Sequence, residues 1–269
     1  MIWENLTVDD FAAASEKTKG VVLVPIGCLE KHGSHMPLGT DILIAREISI
    51  KASEIEEAMV FPYMPFGIVS EVKHKIGTIA LSSNLIYHML EELCDELARN
   101  GYNKIIFVDG HGGNKNFLNY FMQSRLERRH PYSAFYYDVS WKGSLWGEFC
   151  EKYGEVLESG HADIFEASSV CAIDNSLMRM ERVNREETHA QGRMNHISEK
   201  MLYSGIGWYA DHPAQVAGDP TGADKEKGEF INNTYIKRLA EAIKVVKEDN
   251  VTMELLDEFY SKHDNPEKF

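Results

Sequence analysis

The stretch richest in reactive side chains is PIGCLEKHGSHMPLGTD, residues 25–41, which begins within an apolar run. Glu30 and His32 are two residues apart where a strand would end, so their side chains point the same way. Asp41 follows after a loop, at the start of the next predicted helix. Carboxylate and imidazole groups together suit a divalent ion such as Zn, Mn or Fe. The motif therefore predicts metal ligands at Glu30, His32 and Asp41.

A second reactive segment, DGHGGN at residues 109–114, follows another apolar run. His111 would leave that strand at its carboxyl end and so could reach the same crevice. Gly112 and Gly113 leave their N–H groups free to approach a ligand, and Asn114 can cap the next helix. A phosphate-binding turn is one alternative, although the P-loop spacing and its Lys-Ser/Thr pair are absent. A turn with a merely structural histidine is the other.

A third segment, GHADIFEAS at residues 160–168, places a histidine and a glutamate five residues apart at the start of a predicted helix. Glu166 can face the end of the sheet as one more ligand. His161 can act as a general acid or base, because the unperturbed pKa of histidine lies near neutrality. The alternative is a capped helix with a solvent-facing histidine and an acidic first turn.

The opening motif has ordinary interpretations as well. Glu30 and Asp41 could be solvated loop acids, with Lys31 paired to one of them. Cys28 could be a nucleophile, although buried cysteine is usually a small apolar residue. A serine nucleophile has little support, since the sequence contains no G-x-S-x-G elbow.

These segments need a scaffold that brings them together, and the chain alternates apolar strands with helical patterns. The predicted strands lie at 20–27, within 58–67, within 103–114 and at 133–140, and the last is predicted to be a central strand. The predicted helices lie at 41–58, 82–102, 114–130 and 161–174, with one long final helix at 223–249. This alternation predicts an α/β fold with a parallel sheet covered on both faces by helices. The sites of such sheets form at the carboxyl ends of the strands, where the first two motifs lie.

Composition limits the function classes. The 269 residues fit one large α/β domain or two small ones, and the formal charge of −14 argues against nucleic-acid and membrane-surface partners. The start of the chain lacks the pattern of a signal peptide, and no stretch approaches the ~18 apolar residues of a membrane span. The four cysteines are scattered, which favours a reducing compartment, so we expect a cytoplasmic protein.

Five segments together resemble the creatininase (creatinine amidohydrolase) family. The opening motif resembles the family's E-x-H-G-x-H-x-P-L-x-x-D signature, DGHGGN its N-G-H-G-G-N segment, and GHADIFEAS its H-A-G-x-x-E-T-S segment. GTIALS at 77–82 and GDPTGADKEKGE at 218–229 resemble its G-T-x-S-L and G-D-P-x-x-A-x-x-E-K-G segments. The segments are in the family's order and span residues 20 to 230.

The resemblance implies a single domain over residues 1–269, a three-layer αβα sandwich with a mostly parallel central sheet, and a homo-oligomer, a hexamer by family resemblance. It also implies two divalent metal ions per chain. Glu30, Asp41 and His111 would hold one ion, and His32, Asp41 and Glu166 the other, with Asp41 bridging. A hydroxide between the ions would attack the substrate carbonyl, and His161 would carry the proton to the leaving group.

The expected substrate is a small molecule, and several residues are predicted to contact it. These substrate-binding residues are His35, Gly112, Gly113 and Trp141. The chain departs from true creatininases, which carry a tyrosine and a ligating glutamate at the positions of Gly112 and Gly113. They also carry a tryptophan where this chain has Leu157. Creatinine itself is therefore a poor expectation, and the H-G-G-N branch of the family fits better.

Relatives of the H-G-G-N branch are formamide hydrolases, a peptidase that trims a redox-cofactor precursor, and a hydrolase that opens the ring of a 3-dehydro-inosose. We expect hydrolysis of a small cyclic amide, formamide or related C–N substrate. One alternative is ring opening of a cyclic keto-polyol of the 3-dehydro-scyllo-inosose type in inositol catabolism, and another is a non-catalytic metal-binding scaffold. Residues 184–222 are a candidate lid or intersubunit loop.

Overall fold

The computed structural model describes residues 1–139, 143–154 and 159–266. The α-helices of these residues are α1 (Val8–Thr18), α2 (Thr40–Ile55), α3 (Ser83–Arg99), α4 (Lys115–Ser124), α5 (Gly143–Tyr153), α6 (Ile164–Asp174), α7 (Asn195–Ser198), α8 (Gly207–Asp211), α9 (Lys225–Glu248) and α10 (Val251–His263). The strands are β1 (Val21–Ile26), β2 (Met59–Val60), β3 (Lys104–Asp109), β4 (Ser133–Asp138), β5 (Ser159–His161) and β6 (Ala217–Gly218).

The central sheet has four strands in the order β2-β1-β3-β4, and all neighbouring pairs are parallel. Strand β1 consists of Val, Leu, Ile and Pro, and all six residues are buried. Such a continuous apolar run is typical of a parallel strand with both faces covered. A second, two-stranded sheet pairs β5 with β6 in antiparallel orientation.

Alternate residues of the sheet face two separate hydrophobic cores. Val21 and Leu23 of β1 pack with α2, α5, α6 and α9, whereas Val22 and Val24 pack with α3 and α4. This period of two is the geometry of a pleated strand. The fold is therefore the predicted three-layer α/β sandwich with a parallel central sheet. None of the described helices is long and apolar enough to cross a membrane.

The structure corrects some details of the sequence prediction. The strand at 133–138 is at the edge of the sheet, and the helix predicted to be last, α9, is followed by α10. Ser82 caps α3, since its side chain accepts a hydrogen bond from the N–H of Leu85. Asn114 makes no side-chain cap on α4, because its amide is bonded to other segments.

Helices α6 and α9 pack closely, and a glycine allows their approach. Gly228 lies in the first turn of α9, and a Cβ atom there would overlap the carbonyl oxygen of Ser168 in α6. The oxygen of Ser168 belongs to the backbone of α6, so it cannot move away by a rotamer change, and a side chain at position 228 could not be accommodated. Helix α6 carries Glu166, so this contact also fixes the depth at which that carboxylate sits.

Gly228→Ala should destabilise the protein by about 1–3 kcal/mol, the usual cost of overpacking. The free energy of unfolding in urea measures the effect. Gly147→Ala is the matched control, because Gly147 lies inside α5 with open space around its Cβ position. Alanine there should be neutral or stabilise by up to about 1 kcal/mol. Equal stability of both variants would contradict the close packing.

Candidate metal centre

The ends of β1 and β3 bring the first two motifs side by side. Ile26 and Asp109, the last residues of the two strands, are partners in the parallel register. The N–H of Gly110 donates to the carbonyl of Ile26 at 2.9 Å. A Cβ atom at Gly110 would overlap the carbonyl oxygen of Asp41, so glycine is needed where the two motifs touch.

Asp41 is at the centre of the side-chain cluster. Its Oδ1 is 2.9 Å from Nε2 of His32, and its Oδ2 is 3.1 Å from Nδ1 of His111. Oε1 of Glu30 is 2.7 Å from the same Nδ1 of His111. Oε2 of Glu166 is 3.8 Å from Nε2 of His32. The structure thus brings all five predicted ligands together, with one oxygen of Asp41 facing each histidine.

The potential ligand atoms form overlapping groups within the described residues. One atom from each of His32, Asp41 and Glu166 lies within 4.8 Å of the others, and the same holds for Cys28, Asp41 and His111 and for Glu30, His32 and His161. Asp41 belongs to two of the three groups. His32 also belongs to two of them, so the three groups share side chains and form one cluster.

The three histidines present one ring nitrogen each to the protein backbone. Nδ1 of His32 is 3.3 Å from the carbonyl of Glu30, and Nε2 of His111 is 2.9 Å from the carbonyl of Ile68. Nε2 of His161 is 3.0 Å from the carbonyl of Lys31. A carbonyl only accepts, so these nitrogens carry the proton. The other nitrogen of each neutral ring then offers a lone pair, which is how backbone partners orient metal-binding histidines.

Two buried atoms in the centre of the cluster lack a hydrogen-bond partner among the described residues. They are Oε1 of Glu30 and Nε2 of His32. Each is close to an oppositely charged group, yet neither contact has hydrogen-bond geometry. An unsatisfied buried polar atom is costly, and a cation would satisfy both. The donor set, three carboxylates and two imidazoles, fits borderline divalent ions such as Zn and Mn.

Burial and the charges of neighbouring groups shift the pKa values within the cluster. Burial alone would lower the pKa of His32, but the carboxylates of Asp41 and Glu166 raise it to about 10. Burial would raise the pKa of Asp41, but His32 and His111 outweigh it and hold that pKa well below its usual range. Burial dominates at Glu166 and raises its pKa. The carboxylates therefore need compensating positive charge, which either protons or cations can supply.

His161 lies directly beside the ligand cluster. Its ring centroid is 4.1 Å from that of His32, and the residue is 8% exposed. The next residue, Ala162, has a left-handed φ of 54°. Its N–H donates to Oε2 of Glu166 at 2.5 Å, and its carbonyl accepts from Nε2 of His35 at 3.1 Å. His161 is thus held next to the cluster by a fixed backbone.

The predicted substrate-binding residues fall into three situations. His35 is buried and bonded to the backbone, so the structure shows it supporting the Ala162 turn. Gly113 lies against the ring of His111, which a Cβ atom would overlap, and Gly112 precedes it in the same short 3-10 turn. Trp141 lies outside the described residues. Contact of these residues with substrate stays a prediction.

Asp109 and Asn114 support His111, and we did not assign them this role from the sequence. Oδ1 of Asp109 accepts from the N–H of His111 at 3.0 Å and from Nδ2 of Asn114 at 2.8 Å. Oδ1 of Asn114 accepts from the N–H of Ile68, whose carbonyl accepts from His111. Both side chains are fully buried. Their position in the DGHGGN motif could have indicated a functional role, but the hydrogen bonds that orient His111 are visible only in the folded structure.

A thiol nucleophile has little support from the structure. Cys28 is fully buried, and burial raises the pKa of its thiol to about 11 despite the nearby His111. A thiolate is the reactive species, so this environment suppresses reactivity.

Comparison with known proteins places the chain in a family. The family model described as Creatininase, creatinine amidohydrolase, matches residues 4–243. The chain belongs to the creatininase family. Creatininase structures of similar fold include a Zn-Zn type variant, with a TM-score of 0.73, and a Mn form, with a TM-score of 0.72. Each is 20% identical to this chain and aligns with 92% of it; the alignment covers 98% of the Zn-Zn type variant and 99% of the Mn form.

Characterised creatininase relatives differ in activity. The creatinine amidohydrolase of Pseudomonas putida is 29% identical over 119 residues, which are 42% of this chain and 46% of the relative. The chain therefore matches less than half the length of that protein. A mycofactocin precursor peptide peptidase of Mycobacterium ulcerans is 25% identical over 78% of this chain and 79% of its own. A 3-dehydro-scyllo-inosose hydrolase of Thermotoga maritima is 23% identical over 77% of this chain and 71% of its own.

Asn114→Ala should weaken metal binding by about 10- to 100-fold. Asp109 and Ile68, which bond to His111, would lose the amide that holds them, so the His111 ring would be less well oriented. It should also cost about 1–3 kcal/mol of stability, since the N–H of Ile68 loses its partner. Metal titration and urea unfolding measure the two effects. Asn116→Ala is the matched control, an exposed asparagine in the first turn of α4, and should change neither. Unchanged metal affinity in Asn114→Ala would refute the supporting role.

Proposed function

We propose that this protein is a metal-dependent hydrolase that cleaves a C–N bond in a small cyclic amide or formamide. Glu30, His32, Asp41, His111 and Glu166 would hold two divalent ions, Zn, Mn or Fe. The observation that carries the proposal is the shared carboxylate of Asp41, with one oxygen toward each buried histidine. The unpartnered atoms of Glu30 and His32 support it independently.

A pair of ions at this place would lower the pKa of a water molecule and polarise the carbonyl of the substrate. The residues of the chain supply the remaining functions. Asp41 and Glu166 neutralise positive charge and face the same side of His32. His161 donates through Nε2 to the backbone, so its Nδ1 is available to take a proton and return it to the leaving nitrogen.

Ring opening of a cyclic keto-polyol is a second candidate function. The match to the 3-dehydro-scyllo-inosose hydrolase extends over 77% of this chain, and the match to creatinine amidohydrolase over 42%. Attack of water on a ketone would use the same ligands and the same proton-carrying histidine. Assays of both substrate classes on one preparation separate the two candidates.

Assembly into a homo-oligomer, and a hexamer in particular, stays a prediction, as does the cytoplasmic location. A non-catalytic scaffold is the remaining alternative for the metal centre. It differs from the proposal in one property: such a protein would bind metal without turnover of any substrate.

Asp41→Asn should reduce the metal content from about two ions per chain to less than one, because an amide cannot bridge two cations as a carboxylate does. Elemental analysis of purified protein measures this. Asp9→Asn, an exposed aspartate in the first turn of α1, is the matched control and should keep full metal content. Treatment of the unmodified protein with a chelator should abolish turnover, and re-addition of Zn or Mn should restore it. Full activity without metal would refute the proposal.

His161→Gln should lower kcat by about 10²–10⁴-fold, the usual contribution of a general acid or base. The metal content should stay unchanged, since the five ligands remain. Steady-state kinetics and elemental analysis of the same sample give both values. His88→Gln, an exposed histidine on α3, is the control and should behave like the unmodified protein. Loss of metal in His161→Gln would instead make His161 a ligand.

A further inference from the structure

An aromatic side chain from a distant segment lies next to His161. The ring of Trp208, in α8, is 5.8 Å from the ring of His161 at an interplanar angle of 89°, an edge-to-face contact. His161 in turn lies 4.1 Å from the ligand His32. Trp208 is therefore separated from the proposed metal ligands by a single ring. Trp208 lies outside all five segments that resemble the creatininase family.

The orientation of Trp208 is fixed by a buried glutamine. Its indole Nε1 donates to Oε1 of Gln215 at 2.8 Å, and Gln215 is fully buried. Gln215 Nε2 donates to the carbonyl of His212 at 3.0 Å, and the ring of His212 lies 4.8 Å from the indole. Both polar atoms of the amide are thus used, and the indole cannot turn without leaving one unsatisfied.

Gln215 also connects this segment to the opening motif. Its carbonyl accepts a hydrogen bond from the N–H of Gly33 at 2.8 Å. Its backbone has a left-handed φ of 59°, which is unfavourable for a residue other than glycine. Two residues later, β6 pairs with β5, the strand that ends in His161. The position of the indole relative to the cluster is therefore set from two sides.

A second contact holds the same helix against the turn that follows β2. The ring of Tyr209 packs edge-to-face on His74 at 4.7 Å, and Nε2 of His74 lies 3.1 Å from the carbonyl of Pro213. Trp208 itself is only partly buried. A tryptophan that served only the core would be expected inside it, whereas this one is rigidly held with part of its surface open.

We propose that Trp208 forms an aromatic wall of the substrate site and selects substrates whose reactive carbonyl is attached to a flat, neutral or cationic group. The inference rests on the proposed function, because it places the substrate carbonyl beside His32 and His161. A flat group extending from that carbonyl stacks on the indole. An anionic group is disfavoured by the negative face of the indole ring. Gln215 is a positioning residue that acts through Trp208.

Two hydroxamates of different shape test the wall without a known substrate. Acetohydroxamate and benzohydroxamate chelate divalent ions through the same group, but only the second carries a flat ring. Calorimetric titration of the Zn-loaded protein gives both affinities. Trp208→Leu should weaken benzohydroxamate by about 3- to 10-fold, the range that aromatic pair energies correspond to, and leave acetohydroxamate unchanged.

Three further variants complete the test. Trp208→Phe should keep most of the preference for benzohydroxamate. Gln215→Leu should lose part of it, at unchanged metal content. Tyr203→Leu removes an exposed aromatic side chain of the same segment and should have no effect.

The outcomes distinguish failure of this inference from failure of the proposed function. If neither hydroxamate binds the Zn-loaded protein, the proposed function fails and the wall fails with it. If both bind and the preference survives in Trp208→Leu, only the wall is overturned. Loss of metal or of acetohydroxamate binding in Trp208→Leu would also overturn it, since Trp208 would then be a structural residue.

Discussion

A buried carboxylate shared between two imidazoles is the interaction on which the rest of this structure depends. Asp41 is 1% exposed, and its oxygens face His32 and His111 from opposite sides. An ionised carboxylate loses several kcal/mol of hydration at such a place, and nearby positive charge offsets that loss. The N–H of Cys28 contributes a further hydrogen bond to Oδ2 at 3.3 Å. The loop before α2, the end of β1 and the end of β3 must all meet there for these contacts to exist.

Much of the fold could be predicted from the sequence because its signals are local and strong. The continuous apolar run of β1 and the amphipathic pattern of α3, with Ser82 at its start, specify those elements by themselves. The edge position of β4 could not be predicted in this way, because strand order is set by packing between distant segments. The same is true of α10, whose pattern is weak and whose only fully buried member is Tyr260.

The candidate site also has parts that could be predicted from the sequence and parts that could not. The five candidate ligands could be selected from the sequence because each follows a strand or begins a helix in a recognisable motif, and the structure brings their side chains together. That they bind metal stays a prediction. The cap predicted for Asn114 was wrong, since its amide bonds instead to Asp109 of the same motif and to Ile68, which is distant in sequence. Trp208 and Gln215 carry no periodic or motif signal. The antiparallel pairing of β5 with β6 and the hydrogen bond from the N–H of Gly33 to the carbonyl of Gln215 bring their segment next to His161. Long-range contacts of this kind are invisible to patterns within one segment.

Ala162 connects His161, the proposed proton carrier, to the predicted ligand Glu166, and this connection limits which substitutions the segment tolerates. Its left-handed backbone is held by Glu166 on one side and His35 on the other, so His161 and Glu166 form one rigid unit. Such a unit tolerates little change, because a shift of either group displaces both. The segment that carries Trp208 has no comparable covalent link to the ligands. Under the proposed function, substitutions in that segment would change substrate preference without displacing the predicted ligands.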